Sequence, residues 1–326
     1  MNGTAKGAGT GGRRLLFVAA NPSVDRLYEV DRLTEGEIHR PLTNVVVPGG
    51  KGLNAARAAA TLGGSVTAVG ILAGRTGDWI TERLADLGLD ARLTRSGGET
   101  RTCISILDRS TGALTELYER GDEIELTAWD ALEATIVAEM ERGDIAAVAL
   151  SGSLPVGAPS DGFGRIARLA GSMPQPIAVL VDTYGPALRP VLAERPALVK
   201  VNAAEASEAG ATAVTDAVSA VRAGDVLIAA GAGSVVVTLG AEGAVVGDGI
   251  RWARLVPPDL RGPFPVGSGD AFLAGLAVAY ERGEPLVDGA RLGMAAAIAN
   301  AQVPGAGVLD RGSVDGILER VVAVPL

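Results

Sequence analysis

A single acid, Asp270, closes the glycine turn Pro265-Val266-Gly267-Ser268-Gly269, and the apolar run Ala271-Phe272-Leu273-Ala274 follows at once. Gly267 and Gly269 leave the backbone without a Cβ where a ligand would approach, and the first N–H groups of a helix starting there lack intrahelical acceptors. Such groups can hold anionic oxygens. Asp270 beside them can take a proton from a hydroxyl that attacks a phosphoryl group, so phosphoryl transfer is the leading chemistry. Taken alone, an Asp N-cap on a core helix is the simpler reading, so the residues that accompany the turn decide between the two.

Four further constellations bear on that choice. Gly49-Gly50-Lys51-Gly52-Leu53-Asn54 opens an Ala-rich helix with three glycines, a point positive charge and an amide one turn in, which suits a phosphorylated polar ligand. It is not a GxxxxGK[ST] loop, and a plain glycine turn with an exposed lysine fits it equally. Asn21-Pro22-Ser23-Val24-Asp25 ends an apolar run, so Asp25 can accept from sugar hydroxyls at the carboxyl edge of a parallel sheet or belong to a simple turn. Asn202-Ala203-Ala204-Glu205 reads as a capping-box-like helix start, or as an oxygen pair at the water shell of Mg²⁺. Thr238-Leu239-Gly240-Ala241-Glu242-Gly243 is a glycine hairpin turn that can admit a nucleotide phosphate or ribose. Arg101 gains interest because Lys51 alone is a weak hold on a dianion.

Short aliphatic runs position these groups. They recur at 15–20, 65–71, 145–150, 177–181, 197–201, 226–230 and 234–239, mostly separated by stretches of helical spacing such as 53–62, 79–87, 127–141 and 217–223. That rhythm predicts an α/β fold with a mostly parallel central sheet and helices on both faces. The segments 27–47 and 100–124 break it with Thr, charged and β-branched residues. They predict antiparallel strands with one solvated face that pair into a small lid sheet, spanning about 25–48 and 98–125.

Composition limits the partners. The 326 residues carry a formal charge of −9, are 48% hydrophobic and only 3% aromatic, and include 45 glycines. An acidic surface offers no attractive field to nucleic acid or an anionic membrane, so neither is an expected partner. One cysteine, Cys103, and one histidine, His39, exclude an internal disulfide and a His/Cys metal cluster, consistent with a cytoplasmic protein. Residues 1–14 read as a disordered tail, and their formal GxGxxG match is discarded because it precedes the first strand. This disfavours a dinucleotide oxidoreductase. The apolar run after Arg13-Arg14 is too short for an export signal.

The ordered set NPSVD, GGKGLN, SGSLP (Ser151 to Pro155), NAAE, TLGAEGA and VGSGDAF resembles the ribokinase-like, PfkB-type carbohydrate kinase family from about Leu15 onward. NPSVD, Gly36 to Arg40, Thr100-Arg101-Thr102 and Thr115-Glu116 are most similar to its 1-phosphofructokinase and tagatose-6-phosphate kinase branch. The resemblance implies a three-layer ribokinase-like fold with a lid, a homodimer paired through that lid, and the cofactors ATP and Mg²⁺. It makes Asp270 the base and the Gly267, Ser268 and Gly269 amides the phosphoryl cradle. Asp25, Gly50, Lys51 and Asn54 would hold the sugar, with Arg101 and Lys51 on its existing phosphate. Thr238, Gly240, Gly243, Asn300 and Lys200 would line the ATP site, and Asn202 and Glu205 would organise Mg²⁺ through water. The implied reaction is fructose 1-phosphate to fructose 1,6-bisphosphate. Tagatose 6-phosphate or another sugar is the alternative acceptor, and a non-catalytic sugar-phosphate sensor the alternative function. Departures from the branch are Lys200-Val201-Asn202 in place of Lys-Pro-Asn, GSGD in place of GAGD, Tyr118 in place of a smaller polar residue, and His39 in place of asparagine.

Overall fold

The structure is a computed structural model that describes residues 13–210 and 212–326. The aliphatic runs become strands because they can be buried on both faces. In chain order the first strands are β1 (Arg14–Ala19), β2 (Ser23–Val30), β3 (Thr43–Gly49), β4 (Val66–Ala73), β5 (Asp90–Ser96), β6 (Thr102–Asp108) and β7 (Leu114–Tyr118). There follow β8 (Ile145–Ser151), β9 (Ala178–Asp182), β10 (Leu198–Asn202), β11 (Val235–Thr238), β12 (Ala244–Gly247), β13 (Trp252–Val256) and β14 (Val322–Pro325). The helices are α1 (Lys51–Thr61), α2 (Gly74–Asp86), α3 (Leu126–Glu141), α4 (Gly162–Gly171), α5 (Leu188–Ala193), α6 (Ala203–Gly210), α7 (Ala217–Ala229), α8 (Ser268–Glu281), α9 (Leu286–Gln302) and α10 (Arg311–Leu318).

A ten-stranded sheet runs β14-β13-β12-β11-β10-β9-β8-β1-β4-β5, parallel from β11 to β5 and antiparallel from β11 to β14. One face packs on α1, α2, α8, α9 and α10, the other on α3 to α7, giving two aliphatic cores separated by the sheet. Burial on both sides explains why β1 and β8 read as unbroken apolar runs. Asp182, Asn202 and Thr238 sit at the carboxyl ends of β9, β10 and β11, the edge where open parallel sheets bind ligands.

The second sheet, β3-β2-β6-β7, is the lid. Two of its pairings are antiparallel as expected, but β2 and β6 pair in parallel, with Asp25 opposite Cys103. Both strands leave the same edge of the main sheet, β2 after β1 and β6 after β5, so they run outward together. The segment 226–230 is also not a strand. It forms the end of α7, which starts at a capping box between Asp216 and Ser219 and buries Leu227 against the core. A helix already under way with an Ala-rich, one-sided packing surface continues through such a run. Of the expected tail, residues 1–12 lie outside the described residues; Arg14 opens β1 with ion pairs to Glu139 at 3.0 Å and Asp144 at 2.8 Å. No described helix is long and apolar enough to cross a membrane.

Candidate active site

The lid and the carboxyl edge of the main sheet enclose a cavity of about 910 Å³. Its centre is the start of α8. Gly267 caps that helix with φ 83°, a left-handed conformation in which any Cβ would also meet Ala306 Cα at 2.7 Å. Ser268 spends its amide on Pro265 O at 3.1 Å and its hydroxyl on Ala297 O at 3.0 Å. Among the described residues, the amides of Gly269 and Asp270 have no backbone acceptor, so these two face the cavity unspent. Ser268 therefore braces the turn, in place of the expected amide contribution.

Asp270 is buried, and Asn54 Nδ2 donates to its Oδ2 at 3.0 Å. Burial pushes this carboxyl up from the ordinary range to about 7; Lys51 opposes the rise, Asp182 adds to it, and Asn54 and Lys200 oppose it. A group poised there changes charge near neutrality. If Asp270 is the base, kcat/KM should rise with pH and level off above about 7, measured with a saturating co-substrate. A profile flat from pH 6 to 9 would remove it from that role.

Asn54 reaches two carboxylates at once, since its Nδ2 also donates to Asp25 Oδ2 at 3.2 Å. Asp25 further accepts from Gly50 N at 3.3 Å and from Ser23 Oγ at 2.5 Å. A Cβ at Gly49 would overlap the Asp25 carboxylate, and one at Gly50 would lie 2.8 Å from Pro22 Cα, so the glycines let α1 start directly beneath β2. Arg101 donates to Asn21 O at 3.1 Å and, at 3.4 Å, to Pro22 O and Glu119 O, leaving N–H groups free at the cavity wall.

Asp182 ties the lysines together. Its carboxylate meets Lys200 Nζ at 2.6 Å and Lys51 Nζ at 3.3 Å, and Lys51 also reaches Glu205 at 3.4 Å. Burial opposes the Asp182 charge, but Lys200 and Lys51 outweigh it and hold the carboxyl below its usual range. For Lys51, burial is likewise outweighed, here by Asp182, Glu205 and Asp270, and its ammonium is held charged. Lys200 Nζ lies 3.3 Å from where a Cβ on Gly269 would be, so this ammonium stands beside the free amides.

Asn202 and Glu205 cap one another: Asn202 N donates to Glu205 Oε2 and Glu205 N to Asn202 Oδ1, both at 2.9 Å. The structural reading of this pair is thus realised, and its remaining lone pairs face the cavity. Among the described residues, no group of three His, Cys, Asp or Glu side chains could hold a metal alone. The pair fits an ion such as Mg²⁺ held chiefly by phosphate oxygens and water. Thr238, Gly240 and Gly243 line the same cavity, as do the apolar side chains of Val256, Pro257, Met294, Ala297 and Ile298, a lining that suits the face of a planar base.

Two expected residues are placed differently, and a third is where it was expected. Asn300 is fully buried, donating to Val266 O and accepting from Gly307 N, both at 2.8 Å, so its amide pins the turn before α8 instead of facing the adenine side. His39 bonds Thr34 N at 3.1 Å in the loop before β3 and does not line the cavity. Tyr118 does line it, hydrogen-bonded to Glu116. Sequence reasoning missed Asp182, although an acid directly after an apolar strand carries the same signal that singled out Asp25. It also missed Arg57, a charge inside an Ala-rich helix three residues after Asn54.

Comparisons with known proteins show the family and the fold. The sequence profile of the pfkB family carbohydrate kinases matches residues 18–310. A tagatose-6-phosphate kinase from Staphylococcus epidermidis is 30% identical over 266 residues, covering 81% of this chain and 84% of that protein. Phosphofructokinase-2 from Escherichia coli, solved in complex with fructose-6-phosphate, superposes with a TM-score of 0.84 at 26% identity, covering 94% of this chain and 99% of that one. A possible 1-phosphofructokinase from Thermotoga maritima has a TM-score of 0.86 over 96% of this chain and 99% of its own, and at 20% identity it speaks for the fold alone. The chain belongs to the pfkB family carbohydrate kinases, phosphotransferases that act on a sugar hydroxyl.

Proposed function

We propose that the protein transfers the γ-phosphoryl group of ATP to a hydroxyl of a ketohexose phosphate, with fructose 1-phosphate as the acceptor and fructose 1,6-bisphosphate as the product. The observation that carries this reading is Asp270, buried beside two unspent amides and joined through Asn54 to Asp25. Asp25, Gly50 and Asn54 hold the sugar, and Lys51 with the free N–H groups of Arg101 takes its phosphate. The acceptor hydroxyl gives its proton to Asp270 as its oxygen attacks the γ-phosphorus, the bond to the β–γ bridging oxygen breaks, and ADP leaves. Lys200 and the Gly269 and Asp270 amides stabilise the charge on the transferring group. Asn202 and Glu205 would hold Mg²⁺ through water, and the ion would supply further charge neutralisation. Closure of the lid excludes water that would otherwise accept the phosphoryl group.

Tagatose 6-phosphate is the second acceptor to weigh, and the likeness to the staphylococcal kinase favours it. Comparing kcat/KM for fructose 1-phosphate and tagatose 6-phosphate under the same conditions separates the two. A higher value for fructose 1-phosphate supports the first reading, and the reverse order replaces it. The lid leaves Ile38 84% and Leu117 56% exposed, which supports pairing of two copies through its outer face. Sedimentation as a monomer at micromolar concentration would contradict that pairing.

A further inference from the structure

We infer that Arg57 is a positioning residue for phosphoryl transfer, fixing which way the Asn54 amide faces and so holding the base and the sugar-binding carboxylate in one hydrogen-bonded unit. The inference rests on the reading of Asp270 as base. Arg57 sits in the middle of α1 and is buried, with an Nε that has no hydrogen-bond partner. Its Nη2 donates to Asn54 Oδ1 at 2.8 Å and to Ala306 O at 2.6 Å. An unpartnered N–H in a buried cation is costly, so a chain without a use for this guanidinium would be better served by a straight apolar side chain at the same place.

The use follows from the chemistry of an amide. Asn can present either its oxygen or its NH₂ to a given neighbour, because a flip exchanges them at nearly the same shape. Guanidinium has only donors, so the edge of Asn54 that meets Arg57 must be Oδ1. The NH₂ is then forced toward the other side, where it meets Asp25 Oδ2 at 3.2 Å and Asp270 Oδ2 at 3.0 Å. With Arg57 gone, only the two carboxylates still hold the amide in this orientation, and a protonated Asp270 can donate to a flipped Oδ1, which favours the neutral form of the base. The same Nη2 holds Ala306, whose neighbour Gly307 is bonded by Asn300 at 2.8 Å. That loop is the surface on which the Gly267 cap rests, since a Cβ there would strike Ala306. Arg57 thus braces the base from two sides, through Asn54 and through the loop under the turn.

Charge adds in the same direction. The groups facing Asp270 are Lys51 and Arg57 from α1, Asp25 from β2, Asp182 from β9 and Lys200 from β10. Removing Arg57 takes away one of three cations and frees an amide oxygen, and both changes disfavour the ionised base.

The test is the pH profile of kcat/KM for Arg57→Met and Arg57→Gln, with Arg57→Lys as the conservative rescue. The folded fraction is followed at each pH and the profile is normalised to it, so partial unfolding lowers the rate without moving the limb. In both neutral variants the acid limb should rise by about one pH unit, which costs about fivefold in kcat/KM at pH 7 and little at pH 9. The KM for ATP should stay within about twofold of the wild type. Arg57→Lys, which keeps a charge and a donor, should return the limb toward its wild-type position. Either neutral variant, folded and with an unmoved limb, overturns the inference. If Asp270→Asn is inactive while the limb in Arg57→Gln stays put, Arg57 alone loses its role; if Asp270→Asn keeps its turnover, the base assignment itself falls.

Discussion

Replacing Asp270 with asparagine lowers kcat by about 10² to 10⁴-fold, the usual share of a positioned general base, while the affinity for ATP and sugar phosphate changes little. The side chain keeps its shape and can still accept from Asn54, so the cavity is preserved and only proton transfer is lost. The same variant carries a second signature. In the folded protein the carboxyl titrates near 7, well above its ordinary value, so between those two pH values the native state holds a proton that the unfolded chain has released. The contribution of Asp270 to stability is therefore most favourable at low pH and is lost as pH rises through about 7. The amide that replaces the carboxyl bears no charge at any pH. Relative to the wild type, the variant should gain thermal stability at pH 8.5 and gain much less at pH 5.5. Calorimetry at the two values checks this, and an equal difference at both would mean that the buried carboxyl is not strained.

Truncating Asp182 to alanine should destabilise the fold strongly. Its carboxylate is 1% exposed and holds Lys200, itself 4% exposed, at 2.6 Å, as well as Lys51 at 3.3 Å. Without it a buried ammonium is left without an ionic partner, which costs about 3–5 kcal/mol in unfolding free energy. The sign is not that of an ordinary surface pair, because desolvation has already been met by both partners and only one is removed. Adding Lys200→Met to Asp182→Ala should recover much of the loss, since the two charges then leave together. Urea unfolding of the four proteins in this cycle gives the answer, and a single-variant loss below about 1 kcal/mol would show that solvent reaches the pair.

Much of this was legible because burial writes itself into a chain. The parallel strands β1, β8, β9 and β10 are covered on both faces, so their sequences are unbroken aliphatic runs. The same signal misled at 226–230, where the apolar run belongs to a helix of which one face is buried; length and the Asp216 cap were the arbiters. The polar edge strand β5 has no such run and was not visible. Parallel pairing of β2 with β6 depends on where both strands leave the main sheet, which no local pattern encodes. At the site, glycines marked the turn before α8 and the start of α1 because the backbone itself needs them there. Asn300 was misplaced for the opposite reason, since its partners are backbone groups of distant loops, at Val266 and Gly307, which any residue supplies; Arg57 was missed because, besides Asn54 one turn away, it meets the carbonyl of Ala306, which no local pattern marks.

The most direct measurement of the central claim follows the fate of the γ-phosphate by ³¹P NMR. The wild-type protein is incubated with Mg-ATP and an equal mixture of fructose 1-phosphate, tagatose 6-phosphate, fructose and tagatose. The phosphate-holding role of Lys51 and Arg101 predicts resonances of a ketohexose bisphosphate and of ADP, with the free sugars untouched. Phosphorylation of the free sugars while both sugar phosphates remain unchanged would contradict it.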